Sequence, residues 1–189
     1  MSSFASLPTV LVLAAGRSER FRAASGGLHK LEALLGGRPV LAHVLQAVAD
    51  SGLPHHVVRP QGAATAGMGD SIAAGVRATP AAAGWLILPA DLPLVRADTL
   101  RRLAEAPACP VLAPSFEGRR GHPVRFAATL GGELMALQGD RGAASIVRAQ
   151  EAQGGLQLLP LDDEGTVLDV DTPEALAAAQ VLWHARRSA

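Results

Sequence analysis

The sequence predicts one α/β domain with a mostly parallel sheet and helices on both faces. Two apolar runs, residues 9–15 and 85–88, have the length and composition of strands buried on both faces. Segments with apolar residues at helical spacing lie between and after such runs, as expected where strands and helices alternate. The 189 residues show no repeat and no linker, so a single domain over residues 1–189 is expected.

The amino-terminal half supplies the first elements. The strand at residues 9–15 ends at Gly16, where a polar, glycine-containing stretch begins. Five apolar residues at helical spacing then predict a helix over residues 39–50, which Gly52 stops. A short strand at 56–58, a loop rich in glycine and alanine, and a helix at 70–78 are expected to follow.

The carboxyl-terminal half begins with the strand at 85–88, which a turn with two prolines closes. Asp98 is predicted to cap a helix that carries Leu100 and Leu103. The later elements are predicted from periodicity and turn residues: strands at 110–113 and 122–126 around a turn at 117–121, helices at 127–136 and 142–152, a strand at 156–159, a segment at 167–171, and a helix at 173–186.

The composition excludes several classes of partner. Seventeen acidic residues balance seventeen basic ones, which gives no electrostatic reason to expect nucleic acid or an anionic membrane. Aromatic residues make up only 3%, with no Tyr, so little is available for stacking on bases. The apolar run at 10–15 is too short to span a bilayer and lacks a basic flank. A cytoplasmic protein with a small partner is expected.

Two residue types are used only once. The single cysteine, Cys109, excludes an internal disulfide and a cysteine-based zinc site, and its strand-like surroundings favour a buried thiol over a nucleophile. Lys30 is the one lysine among seventeen basic residues. Because a compact ammonium suits a phosphate as a point charge, a special role for Lys30 is favoured over chance retention.

The loop after the first strand can cradle an anion. Small residues let several backbone N–H groups turn toward one phosphate, and Arg17 and Arg20 can add charge-assisted hydrogen bonds. Lys30 follows a flexible segment and can reach the same triphosphate. An ordinary loop with solvated arginines explains this stretch equally well. The spacing fits neither a dinucleotide-binding fingerprint nor a Walker A loop.

Carboxylates follow the later strands. Asp91 comes directly after the strand at 85–88, where ligands bind in parallel sheets, and a proline turn holds it. One or two such acids suit Mg²⁺, although a turn-forming Asp is as good an explanation. Asp169 or Asp171 can supply a second acid, whereas Asp171 or Thr172 can instead cap the last helix. Since no triad or other protein nucleophile stands out, an in-line displacement assisted by charge is favoured.

Six motifs in register carry a resemblance to a known family. The chain resembles the molybdenum cofactor nucleotidyltransferases, and within them the molybdopterin cytidylyltransferase branch. The motifs span nearly the whole chain and are L-A-A-G-R-S-E-R-F at 13–21 with the segment from Lys30 to Val44, G-M-G-D-S-I at 67–72, P-A-D-L-P at 89–93, G-H-P-V at 121–124, G-D-R-G-A at 139–143 and D-V-D-T-P-E at 169–174.

The resemblance implies a fold, a site and a set of roles. The fold is a Rossmann-like, three-layer sandwich of the nucleotide-diphospho-sugar transferase type. Arg17, Lys30 and Asp91 are expected to act in catalysis, and Asp91 and Asp171 to bind Mg²⁺. Nucleotide-binding residues are Ala14, Ala15, Gly16, Arg17, Ser18, Arg20, Lys30, Gly67, Gly69 and Ser71, with Ala15 favouring CTP over GTP. His122, Asp140 and Arg141 are expected to face the pterin acceptor.

Two segments depart from the family pattern. The loop between Phe21 and Lys30 carries an insertion at residues 23–28. The stretch between Gly52 and Gly67 is short, and only one strand is readable where the family has a strand, a helix and another strand. A sheet element is therefore expected to be lost or replaced by an extended connection.

Three functions fit these observations. The favoured one is Mg²⁺-dependent transfer of CMP from CTP to molybdopterin, which would serve a molybdoenzyme of the xanthine dehydrogenase type. The second is nucleotidyl transfer to a sugar or polyol phosphate. The third is a maturation protein that binds the cofactor without turnover, although Lys30, Asp91 and Asp171 favour an enzyme.

Overall fold

A computed structural model describes residues 7–16, 18–61 and 67–188. Within them, a main sheet of seven strands runs in the order β4-β1-β5-β8-β6-β7, with β9 paired to β6. The strands of this sheet are β1 (Thr9–Leu13), β4 (His55–Val58), β5 (Gly84–Pro89), β6 (Val111–Phe116), β7 (Arg119–Arg120), β8 (Val124–Ala127) and β9 (Leu156–Pro160). A separate two-stranded ribbon comprises β2 (Leu34–Leu35) and β3 (Arg38–Pro39).

The sheet is mostly parallel, which confirms the predicted fold class. Strand β1 pairs in parallel with both β4 and β5, and β6 pairs in parallel with β9. Strand β8 lies antiparallel between β5 and β6, so that β5 and β6 point the same way. In register, Leu13 at the end of β1 lies opposite Val58 and Pro89. The carboxyl ends of β1, β4 and β5 therefore meet at one edge.

Two apolar cores cover the two faces of the sheet. Because successive side chains of a strand point to opposite faces, Val10 and Val12 pack into one core and Leu11 into the other. Strand β5 divides in the same way, with Leu86 and Leu88 on the first face and Trp85 and Ile87 on the second. The result is a three-layer α/β/α sandwich.

Helices flank the sheet on both sides. The described helices are α1 (Glu19–Ala24), α2 (Val40–Ser51), α3 (Met68–Ala78), α4 (Ala97–Glu105), α5 (Gly131–Met135), α6 (Ala144–Ala152) and α7 (Pro173–Ser188). Gly52 ends α2 with a φ of 72°, as the sequence predicts. Helices α2 and α4 supply Val44 and Leu100 to the first core, whereas α3 and α6 supply Ile72 and Ile146 to the second.

Several local predictions need correction. Helix α1 lies where only a polar stretch is expected, and a 3-10 turn at Ala128–Leu130 precedes the short α5 in place of one longer helix. The strand predicted from His122 begins at Val124, since Pro123 has no N–H for the ladder. Cys109 precedes β6 and is only half-buried.

Asp163 replaces Asp98 as the group that caps α4. The Asp163 carboxylate is 2% exposed and accepts hydrogen bonds from the Arg96 amide at 2.9 Å and the Thr99 hydroxyl at 2.7 Å. It also accepts from the Gly165 amide and from Arg186 of α7 at 2.8 Å. Asp98 is exposed in the first turn of α4. A residue 67 positions after Arg96 therefore satisfies the start of this helix, which local sequence cannot indicate.

Within the described residues, no helix is long and apolar enough to cross a membrane.

Candidate active site

Three segments converge at the carboxyl edge of the sheet. The loop after β1 is joined to the turn after β5 by a hydrogen bond from the Ala90 amide to the Leu13 carbonyl. That turn is joined to the segment before α7 by a hydrogen bond of 2.8 Å from the Val170 amide to the Asp91 carbonyl. Although residues 167–171 are not a strand, this contact brings Asp171 beside Asp91.

Lys30 lies between these two acids. Its Nζ is 2.5 Å from Asp91 Oδ2 and also contacts Asp171 Oδ1. The Lys30 and Asp91 side chains are 14% and 15% exposed, so this ion pair is largely shielded from water. On the outer side, Arg20 reaches Asp171 Oδ2 at 2.9 Å, but Arg20 is 79% exposed. Two acids and two bases thus share one small cluster.

The electrostatic balance of the cluster keeps Lys30 charged. Burial of the ammonium disfavours its charge, but the negative charge of Asp91 and the hydrogen bonds to both acids outweigh this effect. The pKa of Lys30 is therefore raised above its ordinary value of 10.5.

The acids also fit a divalent metal ion. Asp91, Asp169 and Asp171 each offer a ligand atom, and these atoms lie within 4.8 Å of one another. Asp91 Oδ1 is buried and has no hydrogen-bond partner among the described residues. A buried carboxylate oxygen without a partner is unfavourable unless a cation or water satisfies it. Hard oxygen ligands of this kind suit Mg²⁺ or Mn²⁺.

The loop between β1 and α1 is fixed by residues 29–30. The Lys30 amide donates to Ser18 Oγ at 2.9 Å, and Ser18 adopts a left-handed conformation with φ 61°. His29 Nε2 lies 3.0 Å from the Gly16 carbonyl, while its Nδ1 accepts from the Leu31 amide. Since Nδ1 accepts, Nε2 carries the proton and donates to Gly16. Arg17, also predicted here, lies outside the described residues.

A second wall is formed by the start of α3 and a turn at residues 138–142. The Gly69 amide donates to the Gly139 carbonyl at 2.8 Å, and the Ser71 hydroxyl donates to the Gly67 carbonyl at 2.9 Å. Asp70 accepts from the Gly67 amide at 3.1 Å and from the Gly139 amide at 3.0 Å. The motifs at 67–72 and 139–143 are therefore in direct contact.

Together these segments enclose a cleft of about 470 Å³, within the usual size range of small-molecule sites. Most of the predicted site residues line it: Ala15, Gly16, Ser18, Arg20, Lys30, Gly67, Ser71, Asp91, Asp140 and Asp171. Other lining residues are Leu13, Glu19, Phe21, Leu31, Met68, Pro89 and Ala90.

Four of the predicted residues that the structure describes are not among those that line the cleft: Ala14, Gly69, His122 and Arg141. Ala14 is buried, and its amide donates a hydrogen bond to the Val58 carbonyl. Ala14 therefore anchors the start of the loop to β4. Gly69 is buried against the 138–142 turn, and its hypothetical Cβ would lie 2.5 Å from the Arg141 carbonyl oxygen. His122 lies nearby, with its amide bonded to the Thr166 carbonyl at 2.8 Å.

His122 is electrostatically coupled to the acids. The His122 side chain is exposed at the surface. The protein around it nevertheless displaces bulk water, which disfavours the charged ring and lowers the pKa of His122 below its ordinary 6.5. The charges of Asp91 and Asp169 oppose this shift, whereas Arg120 adds to it. His122 therefore borders the acidic cluster as a neutral imidazole at neutral pH.

Two structurally important residues are missing from the predicted set. His29 orients the loop, and its position beside the only lysine is the one local signal for it. Asp70 joins the two segments of the second wall, and its position three residues after Gly67 is the spacing of a helix-capping box. Thr172 caps α7 by accepting from the Ala175 amide, so the capping and acid interpretations of residues 169–174 are compatible.

Comparison with known proteins finds a matching family and related sequences. A family model, the MobA-like NTP transferase domain, matches residues 10–154. The bifunctional protein GlmU of Xanthomonas campestris pv. campestris strain B100 is 33% identical over 118 residues, which cover 52% of this chain and 25% of GlmU. The chain thus spans about a quarter of the length of the curated relatives it matches.

Solved structures with the same fold cover nearly the whole chain. Rv0371c of Mycobacterium tuberculosis H37Rv, also solved in complex with manganese, is 26% identical with a TM-score of 0.69, over 92% of this chain and 98% of its own. A nucleotidyl transferase from Methanothermobacter is 21% identical with a TM-score of 0.79, over 95% and 99%. Molybdopterin-guanine dinucleotide biosynthesis protein A of Archaeoglobus fulgidus is 18% identical with a TM-score of 0.58, over 93% and 98%.

Proposed function

The chain belongs to the MobA-like NTP transferase family, and on this basis we propose that it transfers CMP from CTP to molybdopterin and releases pyrophosphate. The family makes this a domain of the nucleotidyltransferase type. The observation that carries the proposal is the meeting of Lys30, Asp91 and Asp171 in one cleft with the loop after β1. We place the reaction in the cytoplasm, as expected from the sequence.

The triphosphate is proposed to lie along the loop after β1. Gly16 and Ser18 line the cleft, and Lys30 and Arg20 line it too and provide two positive charges. Arg17 is proposed to add a third. Because Lys30 and Arg20 both contact Asp171, their charges lie together at one point of the cleft, where the phosphates are proposed to bind.

Asp91 and Asp171 are proposed to hold Mg²⁺, with Asp169 able to join them. The buried, unpartnered Asp91 Oδ1 supports this assignment, as does the manganese complex of Rv0371c. When bound, the ion polarises the phosphates and neutralises charge that develops on them.

The proposed chemistry needs no protein nucleophile. A phosphate oxygen of the acceptor forms a bond to the α-phosphorus of CTP, and the bond from that phosphorus to the bridging β-phosphate oxygen breaks. Pyrophosphate then leaves with the electron pair. Lys30 and Arg20 stabilise the negative charge on the transferring and leaving groups, and the cleft holds the reactants in line.

The proposed base and acceptor preferences depend on the two walls. The Ala15 methyl group lines the cleft and is proposed to favour cytosine over the larger guanine. Asp140 lines the cleft from the turn at residues 138–142, with Arg141 next to it in that turn, and His122 lies close enough to Asp91 and Asp169 to feel their charge. These positions support the acceptor role expected from the family resemblance. A molybdoenzyme of the xanthine dehydrogenase type is proposed to receive the product.

The test is pyrophosphate release with Mg²⁺, molybdopterin and each of CTP, GTP, ATP and UTP. We expect turnover with CTP, and a fall of kcat by about 100-fold or more in Asp91→Asn, because a carboxylate charge that would hold the metal ion beside the transferring phosphate is lost. Asp98→Asn is the matched control, since Asp98 is an exposed acid on α4. A fall of similar size in Asp98→Asn would show that the loss is not specific to the site.

Other outcomes distinguish the alternatives. Turnover with a sugar or polyol phosphate, and none with molybdopterin, would replace the acceptor. Thermal stabilisation by CTP and Mg²⁺ without turnover on any acceptor would instead support a maturation protein that binds without catalysis. A ligand at one hundred times its Kd adds about 2.7 kcal/mol, or roughly 5–11 °C in Tm for a chain of this length. Full activity of Asp91→Asn would contradict the proposal.

A further inference from the structure

Asp70 uses its two carboxylate oxygens for two different segments. Oδ2 accepts from the Gly67 amide at 3.1 Å, within the first turn of α3. Oδ1 accepts from the Gly139 amide at 3.0 Å, 69 residues along the chain. The first bond is an ordinary helix cap, but the second is not needed for the helix. It ties the turn at residues 138–142 to the start of α3.

The two segments approach too closely for side chains between them. A Cβ on Gly67 would lie 2.1 Å from the Gly139 carbonyl, and one on Gly69 would lie 2.5 Å from the Arg141 carbonyl oxygen. A Cβ on Gly142 would lie 2.7 Å from Met68 Sδ. The Gly69 amide donates to the Gly139 carbonyl at 2.8 Å. Backbone therefore packs on backbone, and Asp70 supplies the side-chain bond across this contact.

Each segment contributes its own lining residues to the second wall of the cleft. Gly67, Met68 and Ser71 line the cleft at the start of α3, and Gly67 and Ser71 are among the residues expected to bind the nucleotide. Asp140 lines it from the turn and is exposed. Because Asp140 directly follows Gly139, the bond from Gly139 to Asp70 fixes where the Asp140 backbone lies relative to α3.

We propose that Asp70 is a positioning residue that sets the acceptor side of the cleft against the nucleotide side. It does not contact the reacting atoms; it acts through the turn that carries Asp140 and Arg141. The acceptor side is that of the proposed function, on which this inference rests. Because the Asp70 carboxylate is charged, its hydrogen bond from the Gly139 amide is stronger than a bond to a neutral oxygen would be. The stronger bond favours one fixed arrangement of the turn.

The test compares Asp70→Asn and Asp70→Ala with Arg77→Ala. Asn keeps one acceptor oxygen, so it retains one of the two bonds and gives an intermediate effect, and it remains informative where Ala impairs folding. Arg77 is the matched control: it donates at 2.5 Å to the Met135 carbonyl and so links the far end of α3 to α5, away from the cleft. Thermal unfolding of all three variants is measured first.

Two measurements on the full chain decide the inference. In hydrogen exchange, amides of residues 138–142 are expected to exchange faster in the Asp70 variants and at the wild-type rate in Arg77→Ala. In kinetics, the KM for molybdopterin is expected to rise about tenfold in Asp70→Ala, with the KM for CTP within twofold of wild type. A residue that only caps α3 would lower stability without separating the two KM values.

The failures are distinguishable. If exchange at residues 138–142 is unchanged in both Asp70 variants, or rises equally in Arg77→Ala, the positioning role is overturned whatever the substrates are. If the KM values for CTP and molybdopterin rise together, Asp70 does not act on the acceptor side and the proposal is wrong. If wild-type protein shows no turnover with molybdopterin, the proposed function fails, and exchange alone then decides whether Asp70 holds the turn.

Discussion

Lys30 Nζ lies 2.5 Å from Asp91 Oδ2, although the two residues are 61 positions apart in sequence. The same ammonium also contacts Asp171, so the one lysine of the chain forms ion pairs with both acids that are proposed to hold a metal. A metal ion at these carboxylates must compete with Lys30, and a phosphate bound by Lys30 must compete with the carboxylates. When metal and triphosphate bind together, the carboxylates exchange Lys30 for the metal ion and Lys30 exchanges the carboxylates for a phosphate. Each charged group then keeps a partner of opposite charge.

Replacement of Lys30 by Met is expected to tighten the binding of Mn²⁺ in the absence of nucleotide by about tenfold, because a competing positive charge is removed from shielded acids. Isothermal titration with Mn²⁺ measures the effect. Lys30→Arg keeps the charge and should bind Mn²⁺ much as wild type does. Equal or weaker Mn²⁺ binding by Lys30→Met would show that Lys30 does not compete with the metal.

Removal of the His29 ring is expected to weaken nucleotide binding, although the ring itself is not proposed to contact the nucleotide. His29 Nε2 donates to the Gly16 carbonyl, and its Nδ1 accepts from the Leu31 amide, so the ring joins the loop to the segment that carries Lys30. His29→Ala should raise the Kd of CTP with Mn²⁺ by roughly five- to tenfold, as expected for one lost hydrogen bond. Titration of the variant with CTP measures this change.

The control for His29 is His184→Ala, on the exposed surface of α7, where the ring pairs with Gln180. His184→Ala should leave the Kd of CTP unchanged. His29→Gln offers one donor and one acceptor, so partial recovery is expected. The idea fails if CTP binds His29→Ala as tightly as it binds wild type.

Loss of the Asp163 carboxylate is expected to be among the most destabilising single changes in the chain. Asp163→Ala leaves the Arg96 amide, the Thr99 hydroxyl and the Arg186 guanidinium without their buried acceptor. The free energy of unfolding should fall by about 3–5 kcal/mol, which lowers Tm by roughly 6–20 °C. Urea and thermal unfolding measure both quantities.

The neighbouring Asp162 provides the control for Asp163. It is exposed, and in the part of the chain that the structure describes its side chain accepts no such set of hydrogen bonds. Asp162→Ala should change the free energy of unfolding by about 0.5 kcal/mol or less. Similar losses in the two variants would contradict the assignment of Asp163 as the group that joins α4 to α7.

Glu174 is expected to add a small pH-dependent stability in acid. Hydrogen bonds from its own backbone N–H and from the Thr172 side chain hold the pKa of Glu174 below its ordinary value of 4.5. A depressed folded pKa stabilises the protein above the unfolded pKa, and this contribution is lost as pH falls through the folded pKa. Glu174→Gln should therefore show a weaker loss of stability below pH 4.5 than wild type.

Urea unfolding between pH 6 and pH 3 measures the difference between Glu174→Gln and wild type. Glu133→Gln, at an exposed position on α5, is the control and should follow the wild-type curve. Parallel curves for Glu174→Gln and wild type would show that the carboxylate does not contribute in this way.

The main elements could be predicted because their signals are local. The runs that become β1 and β5 are apolar throughout, as strands covered on both faces must be, and α2 has apolar residues at helical spacing and Gly52 at its end. Asp91 could be found because an acid directly after a buried strand lies at the ligand-binding edge. These features depend on neighbours a few residues away.

Tertiary structure decided the rest, because contacts between distant segments leave no periodic pattern. The antiparallel β8 between β5 and β6 follows from strand pairing over long separations, and local propensity is the same for either direction. Asp163 caps α4, and Asp70 accepts a hydrogen bond from the Gly139 amide. Both interactions depend on which loops meet after the layers pack. The sequence by itself determined the layers and the acid at their edge, and packing determined which charges and amides meet there.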